Sequence, residues 1–248
     1  MTQRLFVLLP AAGKATRFGN VGEAPKQYQY MAGRTVLEWS LQAMRRLRPM
    51  RIVLAVAADD LRWQSLPARS LTDVQVVAGG ADRTASVLCA LAAIADEARA
   101  DDWALVHDVA RPCVTVGECA RLHAAIQQHS VGGVLAVPVA DTVKRAAQAG
   151  VAPIAECVDA VETIDRSVLW LAQTPQQFRY GALVAALETA TAAGLAVTDE
   201  ASAMEHAGHR PLLVRGSPDN IKITWPDDLA RAAAIVGRQL RAAQSVGA

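Results

Sequence analysis

The sequence predicts an α/β fold in which helices cover both faces of a mostly parallel β-sheet. Short apolar runs of strand length alternate with segments whose apolar residues recur at helical spacing. Such alternation is typical of parallel sheets. The runs are continuously apolar, as expected for strands buried on both faces. A length of 248 residues fits one large domain, and we predict a single domain over residues 1–248.

Six apolar runs are predicted to form the strands. The first follows Arg4 and superficially resembles a signal peptide, but it is too short for one and leads into charged residues. No uninterrupted apolar run reaches the roughly 18 residues that a membrane-spanning helix needs. The predicted strands are Leu5–Leu9, Ile52–Ala57, Val74–Val77, Trp103–Val106, Val134–Val137 and Leu212–Val214.

Six segments between and after these runs are predicted to be helices. In the first, Thr35 and Glu38 have the spacing of a capping box. Leu37, Leu41, Met44 and Leu47 then lie on one stripe of that helix, which is expected to face the core. The predicted helices are Thr35–Leu47, Thr84–Ala95, Val116–His129, Gly181–Ala193, Glu200–Ala207 and Asp227–Ala243.

From Pro138 to Asp165, the apolar residues do not recur at helical spacing. Residues such as Val139 and Val161 indicate extended structure around a turn near Gly150–Pro153. The exposed edges of an extended arm favour pairing with a partner. We therefore predict a β-arm at about residues 138–165 that packs on a second copy of the chain. A hairpin folded back on its own domain is the alternative.

Charge and cysteine content argue against several functional classes. The chain has 25 Lys and Arg against 24 Asp and Glu, whereas nucleic-acid-binding domains usually carry a clear basic excess. Its four cysteines form no C-x-x-C pair, so neither a zinc site nor a disulfide framework is indicated. We expect a cytoplasmic protein that binds neither nucleic acid nor membranes.

The segment after the first strand has the composition of a phosphate-binding loop. In parallel sheets, ligands bind beyond the carboxyl ends of the strands. The small residues Ala11, Ala12 and Gly13 let backbone N–H groups approach a phosphate, and Arg17 and Lys26 supply positive charge. The spacing matches neither a P-loop nor a dinucleotide-binding fingerprint. A polyphosphate site is the hypothesis; a strand-to-helix turn with solvated charges is the alternative.

The segment after the third strand contains two glycines, Gly79 and Gly80, followed by Arg83 and Ser86. Glycines permit unusual backbone angles and expose backbone groups that can bind the edge of a base. The alternative is that the segment is a simple turn followed by a helix N-cap and binds no ligand.

Two charged residues lie at positions where an anion or a cation could bind. Asp108 follows the fourth strand, and a carboxylate beside a phosphate loop can hold Mg²⁺. A helix cap or a salt bridge to Arg111 is the alternative. Lys222 lies in an apolar strand pattern between Ile221 and Ile223. A lysine at such a position either binds an anion or extends its ammonium group to solvent.

Taken in chain order, these motifs resemble those of the 2-C-methyl-D-erythritol 4-phosphate cytidylyltransferases of non-mevalonate isoprenoid biosynthesis. The resemblance runs from about Leu5 to Leu229. Besides the Pro-Ala-Ala-Gly opening, the series is Pro25-Lys26-Gln27, Gly79-Gly80 with Arg83 and Ser86-Val87, Val106-His107-Asp108 with Ala110-Arg111-Pro112, Asp141-Thr142 with Lys144-Arg145, Gln173-Thr174-Pro175-Gln176, Thr198-Asp199-Glu200-Ala201-Ser202 and Asn220-Ile221-Lys222-Ile223-Thr224.

The resemblance implies a Rossmann-like fold with a protruding β-arm that interlocks two subunits as a homodimer. It also implies transfer of CMP from CTP to 2-C-methyl-D-erythritol 4-phosphate, with release of pyrophosphate. The implied cofactor is Mg²⁺ or another divalent cation. Because the acceptor phosphate is already a nucleophile at neutral pH, the hypothesis needs no general base; catalysis would come from positioning and from electrostatic stabilisation.

Residue roles follow from the same resemblance. The implied catalytic residues are Arg17, Lys26, Arg166 and Lys222, with Arg166 reaching over from the partner's arm. The implied CTP-binding residues are Ala11, Ala12, Gly13, Arg17, Lys26, Gly80, Ala81, Arg83, Ser86, Asp108 and Val109. The implied methylerythritol-phosphate site contains Asp108, Arg111, Thr142, Arg166, Thr174, Thr198 and Lys222. Asp108 is the implied metal ligand.

Three other functions are weighed against this one. Ribitol 5-phosphate cytidylyltransferases share most of these motifs, so the acceptor could be ribitol 5-phosphate. A silent nucleotide-binding module is disfavoured because the charged residues of the motifs are retained, and a Rossmann oxidoreductase because the glycine fingerprint is missing. The chain departs from the family's pattern at Ala15, Ala81 and Val109 and in the longer segment Phe18–Ala24.

Overall fold

The structure, a computed structural model, describes residues 3–13, 18, 24–147 and 157–246. The strands are β1 (Leu5–Pro10), β2 (Tyr30–Met31), β3 (Arg34–Thr35), β4 (Arg51–Val56), β5 (Val74–Ala78), β6 (Trp103–Val106), β7 (Gly132–Pro138), β8 (Val143–Ala146), β9 (Ala160–Ile164), β10 (Trp170–Arg179) and β11 (Leu212–Arg215). The helices are α1 (Val36–Arg45), α2 (Arg83–Ala92), α3 (Val116–Ile126), α4 (Tyr180–Ala192), α5 (Glu200–His206) and α6 (Asp227–Val246).

The central sheet has seven strands in the order β11-β7-β10-β6-β1-β4-β5. The six predicted strands are all in it, and their mutual pairings are parallel. The prediction of an α/β fold with a mostly parallel sheet is therefore confirmed. The two-stranded ribbon β2–β3 is separate from this sheet.

Strand β10 was not predicted, although it lies inside the sheet. It runs antiparallel to both of its neighbours, β6 and β7. Its buried positions include Gln173, Thr174, Gln176 and Gln177, so the segment lacks the apolar pattern by which the other strands were recognised. Pairing with β7 is interrupted between Ala172 and Gln176, and β-bulges of this kind often lie next to active sites.

All six predicted helices are present, with ends shifted by up to three residues. The capping box at α1 is confirmed: the Thr35 hydroxyl accepts a hydrogen bond from the Glu38 amide (3.2 Å), and the Glu38 carboxylate accepts one from the Thr35 amide (2.9 Å). Leu37, Leu41 and Met44 of the predicted stripe are fully buried. Leu47, the fourth predicted member, lies beyond the end of α1 and is partly buried.

The core consists of two apolar layers, one on each face of the sheet. Phe6 and Leu8 of β1 join a cluster with residues of α2, α4 and α5. Val7 and Leu9 point the other way, into a cluster with residues of α1 and α3. A third cluster packs α6 against α1 through Trp39 and other apolar residues. The helices therefore cover both faces, as predicted.

The order of the strands determines where a ligand can bind. From β1, the chain adds β4 and β5 on one side of the sheet and β6 and the later strands on the other. The carboxyl ends of β1 and β6 therefore flank the crevice where strand order reverses. Open α/β sheets bind their ligands at this point.

A second small sheet, β8–β9, is antiparallel and separate from the central sheet. We call residues 139–147 and 157–169, which include it, the arm. At its base Val139 N–H donates to the Leu169 carbonyl oxygen (3.0 Å), and Lys144 donates to the Thr163 hydroxyl across the ribbon (2.6 Å). The prediction of extended structure in this part of the chain is confirmed, whereas the predicted turn near Gly150–Pro153 lies outside the described residues.

None of the helices in the described parts of the chain combines the length and the apolar character needed to cross a bilayer.

Candidate active site

Two cavities open beyond the carboxyl ends of β1 and β6 and share a boundary. The first is lined by Pro10, Ala11, Ala12, Gly13, Lys26, Gln27, Ala81, Asp82, Arg83, Ser86, Asp108, Val109, Ala110 and Lys222. The second is lined by Arg83, Asp108, Arg111, Ala172, Gln173, Thr174, Gln176, Thr198, Asp199 and Lys222. Arg83, Asp108 and Lys222 line both, so they form the boundary.

The first cavity contains most of the predicted CTP-binding residues. The structure brings together Ala11, Ala12, Gly13, Lys26, Ala81, Arg83, Ser86, Asp108 and Val109. Gly80 lies beside this lining and is not part of it. Arg17 and Ala15 lie outside the described residues, as does most of the segment Phe18–Ala24. Their predicted roles stay predictions.

The loop after β1 is fixed by hydrogen bonds to its neighbours. The Ala11 amide donates to the Ala55 carbonyl oxygen of β4 (2.7 Å), and the Gln27 side chain donates to the Ala11 carbonyl oxygen (3.2 Å). Lys26 donates to the Ile223 carbonyl oxygen (2.8 Å). The lysine, which lines the first cavity, is thereby held next to the segment that carries Lys222.

Gly79 and Gly80 are required for close packing rather than for the unusual backbone angles that were predicted. Neither has a positive φ. A Cβ on Gly80 would lie 2.3 Å from the Ala85 Cβ, and one on Gly79 would lie 2.8 Å from the Ala12 Cβ. The Ser86 hydroxyl closes this loop, accepting from the Gly80 amide (3.2 Å) and donating to a backbone carbonyl oxygen (2.7 Å). Two loops of the site thus touch only because the side chains between them are small.

A group of alternating charges forms the boundary of the cavities. Asp108 accepts from Arg83 through one oxygen (3.1 Å) and pairs with Lys222 through the other (2.7 Å). The salt bridge anticipated as the alternative role of Asp108 therefore exists, but its partners are Arg83 and Lys222 rather than Arg111. Burial alone would raise the pKa of Asp108, yet Arg83 and Lys222 lower it well below its ordinary value.

Glu200 extends this group, and the sequence did not reveal its role. Its two carboxylate oxygens accept from the two terminal nitrogens of Arg83 (2.5 and 2.9 Å). Burial raises the pKa of Glu200, and Arg83 partly offsets that rise. An acidic residue in the first turn of a helix ordinarily interacts with the helix dipole at the surface. The local sequence therefore gave no signal that Glu200 is buried.

The predicted strand at Lys222 is wrong, because residues 221–224 form a loop. Two hydrogen bonds fix this loop to the site. The Asn220 side chain donates to the Thr174 carbonyl oxygen (2.9 Å), and the Ile223 amide donates to the Ala110 carbonyl oxygen (2.8 Å). Lys222 therefore reaches Asp108 because its backbone is anchored on both sides.

The second cavity contains five of the seven residues predicted to bind the methylerythritol phosphate: Asp108, Arg111, Thr174, Thr198 and Lys222. Arg111 donates to the Asn220 carbonyl oxygen (2.7 Å). The other two, Thr142 and Arg166, lie in the arm; both are exposed, and the structure does not bring them to this cavity. Arg166 instead donates to the Ala140 carbonyl oxygen.

A buried histidine determines how Thr174 can bond. His107 Nε2 lies 3.2 Å from the Arg111 carbonyl oxygen, which only accepts, so Nε2 carries the proton. Nδ1 then accepts from the Thr174 hydroxyl (3.1 Å). The same hydroxyl accepts from the Asp108 amide (3.0 Å). This chain of hydrogen bonds links the second cavity to the backbone of Asp108.

The arrangement is suited to holding two polyanions close together. Lys26, Lys222, Arg83 and Arg111 all line one or both cavities. Cationic side chains that are already positioned stabilise charge on transferring phosphoryl groups without reorganisation during the reaction. A nucleotide in one cavity and a phosphorylated acceptor in the other would meet at the shared boundary.

Comparison with known proteins identifies a family. The model of the 2-C-methyl-D-erythritol 4-phosphate cytidylyltransferase family matches residues 5–238. The Pseudomonas aeruginosa PAO1 protein of that name is 48% identical over 228 residues, which cover 91% of this chain and 93% of that protein.

Two solved structures that carry the same name have a similar fold. The Francisella tularensis structure is 36% identical, with a TM-score of 0.77 and coverage of 94% of this chain and 100% of that one. The Thermus thermophilus structure is 32% identical, with a TM-score of 0.73 and coverage of 94% and 98%.

The burial of His107 predicts a loss of stability in mild acid. Burial lowers the pKa of His107 to about 4 from its ordinary 6.5, so between these values the unfolded chain binds a proton that the folded protein does not. His107 should by itself lower the free energy of unfolding by on the order of 3 kcal/mol as pH drops from 6.5 to 4. Urea denaturation across this range measures it.

The His107→Asn variant should have a shallower dependence on pH over the same range, whatever its stability at pH 7. His206→Gln, at an exposed position, is the control and should match the unaltered protein. Equal slopes for the unaltered protein and His107→Asn would contradict the assignment of a neutral, buried imidazole.

Proposed function

The chain belongs to the 2-C-methyl-D-erythritol 4-phosphate cytidylyltransferase family, and from this premise we propose that it transfers CMP from CTP to 2-C-methyl-D-erythritol 4-phosphate. The products are 4-diphosphocytidyl-2-C-methyl-D-erythritol and pyrophosphate. The observation that carries this proposal is the boundary of Arg83, Asp108 and Lys222 between two adjoining cavities. A reaction that joins a nucleotide to a phosphate needs two anion sites that meet in this way.

We assign CTP to the first cavity. Its loop of Ala11, Ala12 and Gly13 leaves backbone room for a triphosphate, and Lys26 adds a positive charge beside it. Ala81 and Ser86 also line this cavity, and the cytosine and ribose would lie beside them. Arg17 would complete the triphosphate site.

The methylerythritol phosphate belongs in the second cavity. Arg111 and Lys222 provide positive charge there, and Thr174 and Thr198 provide hydroxyl groups. Because the Thr174 proton is held by His107, the Thr174 oxygen is available as an acceptor for a hydroxyl group of the acceptor substrate. Charged groups for a phosphate and acceptors for a polyol are thus present in one cavity.

The chemical step is a displacement at the α-phosphorus of CTP. A phosphate oxygen of the acceptor forms the new P–O bond, the bond from the α-phosphorus to the oxygen bridging to the β-phosphate breaks, and pyrophosphate leaves with the electron pair. The acceptor phosphate is already anionic, so no side chain has to remove a proton. The protein supplies alignment and positive charge.

We propose that Asp108 is the protein ligand of a catalytic Mg²⁺. It is the carboxylate common to both cavities, and its low pKa keeps it anionic. Within the described residues, no three His, Cys, Asp or Glu side chains converge as a metal cage. One carboxylate combined with phosphate oxygens and water is a usual Mg²⁺ environment at nucleotide sites. Bound there, the ion would neutralise charge on the triphosphate.

We propose that the arm makes the enzyme a homodimer. Val161, Val168 and Leu171 at the arm and its base are 58%, 77% and 58% exposed, and apolar surface of this kind favours a protein partner. A second copy of the chain is the partner that the family resemblance implies. Arg166 would then reach the second cavity of the neighbouring subunit.

We also propose that the enzyme acts in the cytoplasm. Its four cysteines are free thiols, two of them buried. Burial raises the pKa of Cys113 and Cys119 to about 12, which keeps these thiols protonated and unreactive. Free thiols persist in a reducing compartment.

Pyrophosphate release distinguishes the two acceptors. Purified protein with Mg²⁺ and CTP should release pyrophosphate with 2-C-methyl-D-erythritol 4-phosphate and not with ribitol 5-phosphate. Release with ribitol 5-phosphate alone would show that the acceptor is ribitol 5-phosphate. The assignment of CTP to the first cavity would be unaffected. Measurable CTP binding without release with either would indicate a silent nucleotide-binding module.

Two lysine variants should separate the cavities kinetically. Lys26→Ala should lower kcat by on the order of 10²–10³ because it removes a cation from the triphosphate. Lys222→Ala should mainly raise KM for the methylerythritol phosphate. Steady-state kinetics with each substrate varied in turn measures both effects. Arg51→Ala, which removes an exposed ion pair with Glu97, is the control and should leave the constants unchanged.

An effect of Lys222→Ala on CTP alone would show that the two cavities have been assigned in reverse. Near-normal kcat in Lys26→Ala would remove that residue from the catalytic set.

The arm can be tested by a charge on its apolar surface. Val168→Asp should convert the dimer to a monomer in sedimentation velocity at micromolar concentration, because burying a carboxylate at an interface is costly. Leu195→Asp, at an exposed apolar residue outside the arm, should stay dimeric. A monomeric unaltered protein at that concentration would contradict the proposal.

A further inference from the structure

Glu200 has an environment that its position at the start of a helix does not require. It is the first residue of α5, and only 1% of it is exposed. Both of its carboxylate oxygens are bonded to Arg83, in a two-point ion pair. A two-point pair fixes the plane of the guanidinium as well as its position.

The backbone around Glu200 is fastened to the sheet. Asp199 caps α5 by accepting from the Ser202 amide (2.9 Å). Gln176 of β10 donates to the Asp199 carboxylate (2.8 Å) and accepts from the Ala201 amide (2.8 Å). Glu200 therefore lies between two anchored residues, and its carboxylate is a fixed point.

Arg83 transmits this fixed position to the reacting site. Its Nε donates to Asp108 (3.1 Å) while its terminal nitrogens bind Glu200. Arg83 and Asp108 line both cavities, whereas Glu200 lines neither. Arg83 is therefore the hydrogen-bonded link between Glu200 and the two cavities.

We propose that Glu200 is a positioning residue of the reaction: it holds the Arg83 guanidinium across the boundary of the two cavities, and Arg83 in turn orients the Asp108 carboxylate. This inference rests on the proposed function. Without the Glu200 charge, Asp108 is the remaining carboxylate bonded to Arg83. Arg83 would then move onto Asp108 and compete with Lys222 for it.

The test is a double-mutant cycle between Glu200 and Arg83. Glu200→Gln keeps the shape of the side chain and removes its charge. We expect kcat/KM for CTP to fall about 10-fold or more, since a displaced group near the reacting atoms can cost up to about 10² in rate. In the Arg83→Met background the same change should alter kcat/KM less than about 2-fold. Effects that multiply in the double variant would overturn the proposal.

Asp102→Asn is the matched control. Asp102 is also buried and accepts two bonds from the side chain of one arginine, Arg4 (3.1 and 2.6 Å). It lies just before the amino end of β6, whereas the site lies beyond the carboxyl end of that strand. Asp102→Asn should lower the melting temperature and preserve kcat/KM. A loss of kcat/KM in Glu200→Gln no larger than in this control would overturn the positioning role.

Two further measurements keep the result decisive. If Glu200→Gln fails to fold, Glu200→Asp replaces it, because this change retains the charge and shortens the side chain. We expect Glu200→Asp to lower kcat/KM for CTP while its melting temperature stays near that of Asp102→Asn. Unchanged kcat/KM in Glu200→Asp would then overturn the proposal. Calorimetric titration with CTP reports on Glu200 even if the unaltered protein releases no pyrophosphate. Unchanged CTP affinity in Glu200→Gln under that condition would also count against it.

Discussion

The geometry of the site depends on one buried carboxylate, Asp108. A charge removed from water is stable only when opposite charges and hydrogen bonds replace the lost hydration. Arg83 and Lys222 supply those charges, and the Thr174 hydroxyl holds the backbone amide. These three partners come from a helix start, a loop and an antiparallel strand. Burial of the charged Asp108 carboxylate therefore requires these three parts of the fold to lie next to one another.

Strand β10 makes this meeting possible. It is inserted between β6 and β7, so Thr174 and Gln176 lie beside the carboxyl end of β6. Its buried polar side chains are largely bonded to neighbouring segments: Thr174 to His107, and Gln176 to the start of α5. Polar groups in a core stabilise one arrangement when they are satisfied and destabilise alternatives in which they are not. The strand therefore fixes the second cavity through hydrogen bonding rather than through apolar packing.

The same charges are central to the proposed reaction, in which one site has to bind two polyanions. In the structure, Arg83 and Lys222 are paired with carboxylates of the chain, so the charges of these two residues are already compensated. In the proposed reaction, phosphate groups in both cavities would share these cations, which are already in place. Preorganised charge of this kind lowers the barrier to reaction because little reorganisation accompanies the chemical step.

The sequence by itself determined the six parallel strands, the six helices and the capping box at Thr35, because hydrophobic periodicity and caps are local signals. It also identified the segments that bear Lys26, Asp108 and Lys222. Tertiary structure alone decided that β10 is a strand, that Glu200 is buried against Arg83, and that Gly79 and Gly80 allow two loops to touch. The physical reason is that a polar side chain can be buried only when its partners, distant in sequence, converge on it. No local sequence pattern predicts which distant residues will converge on a given polar side chain.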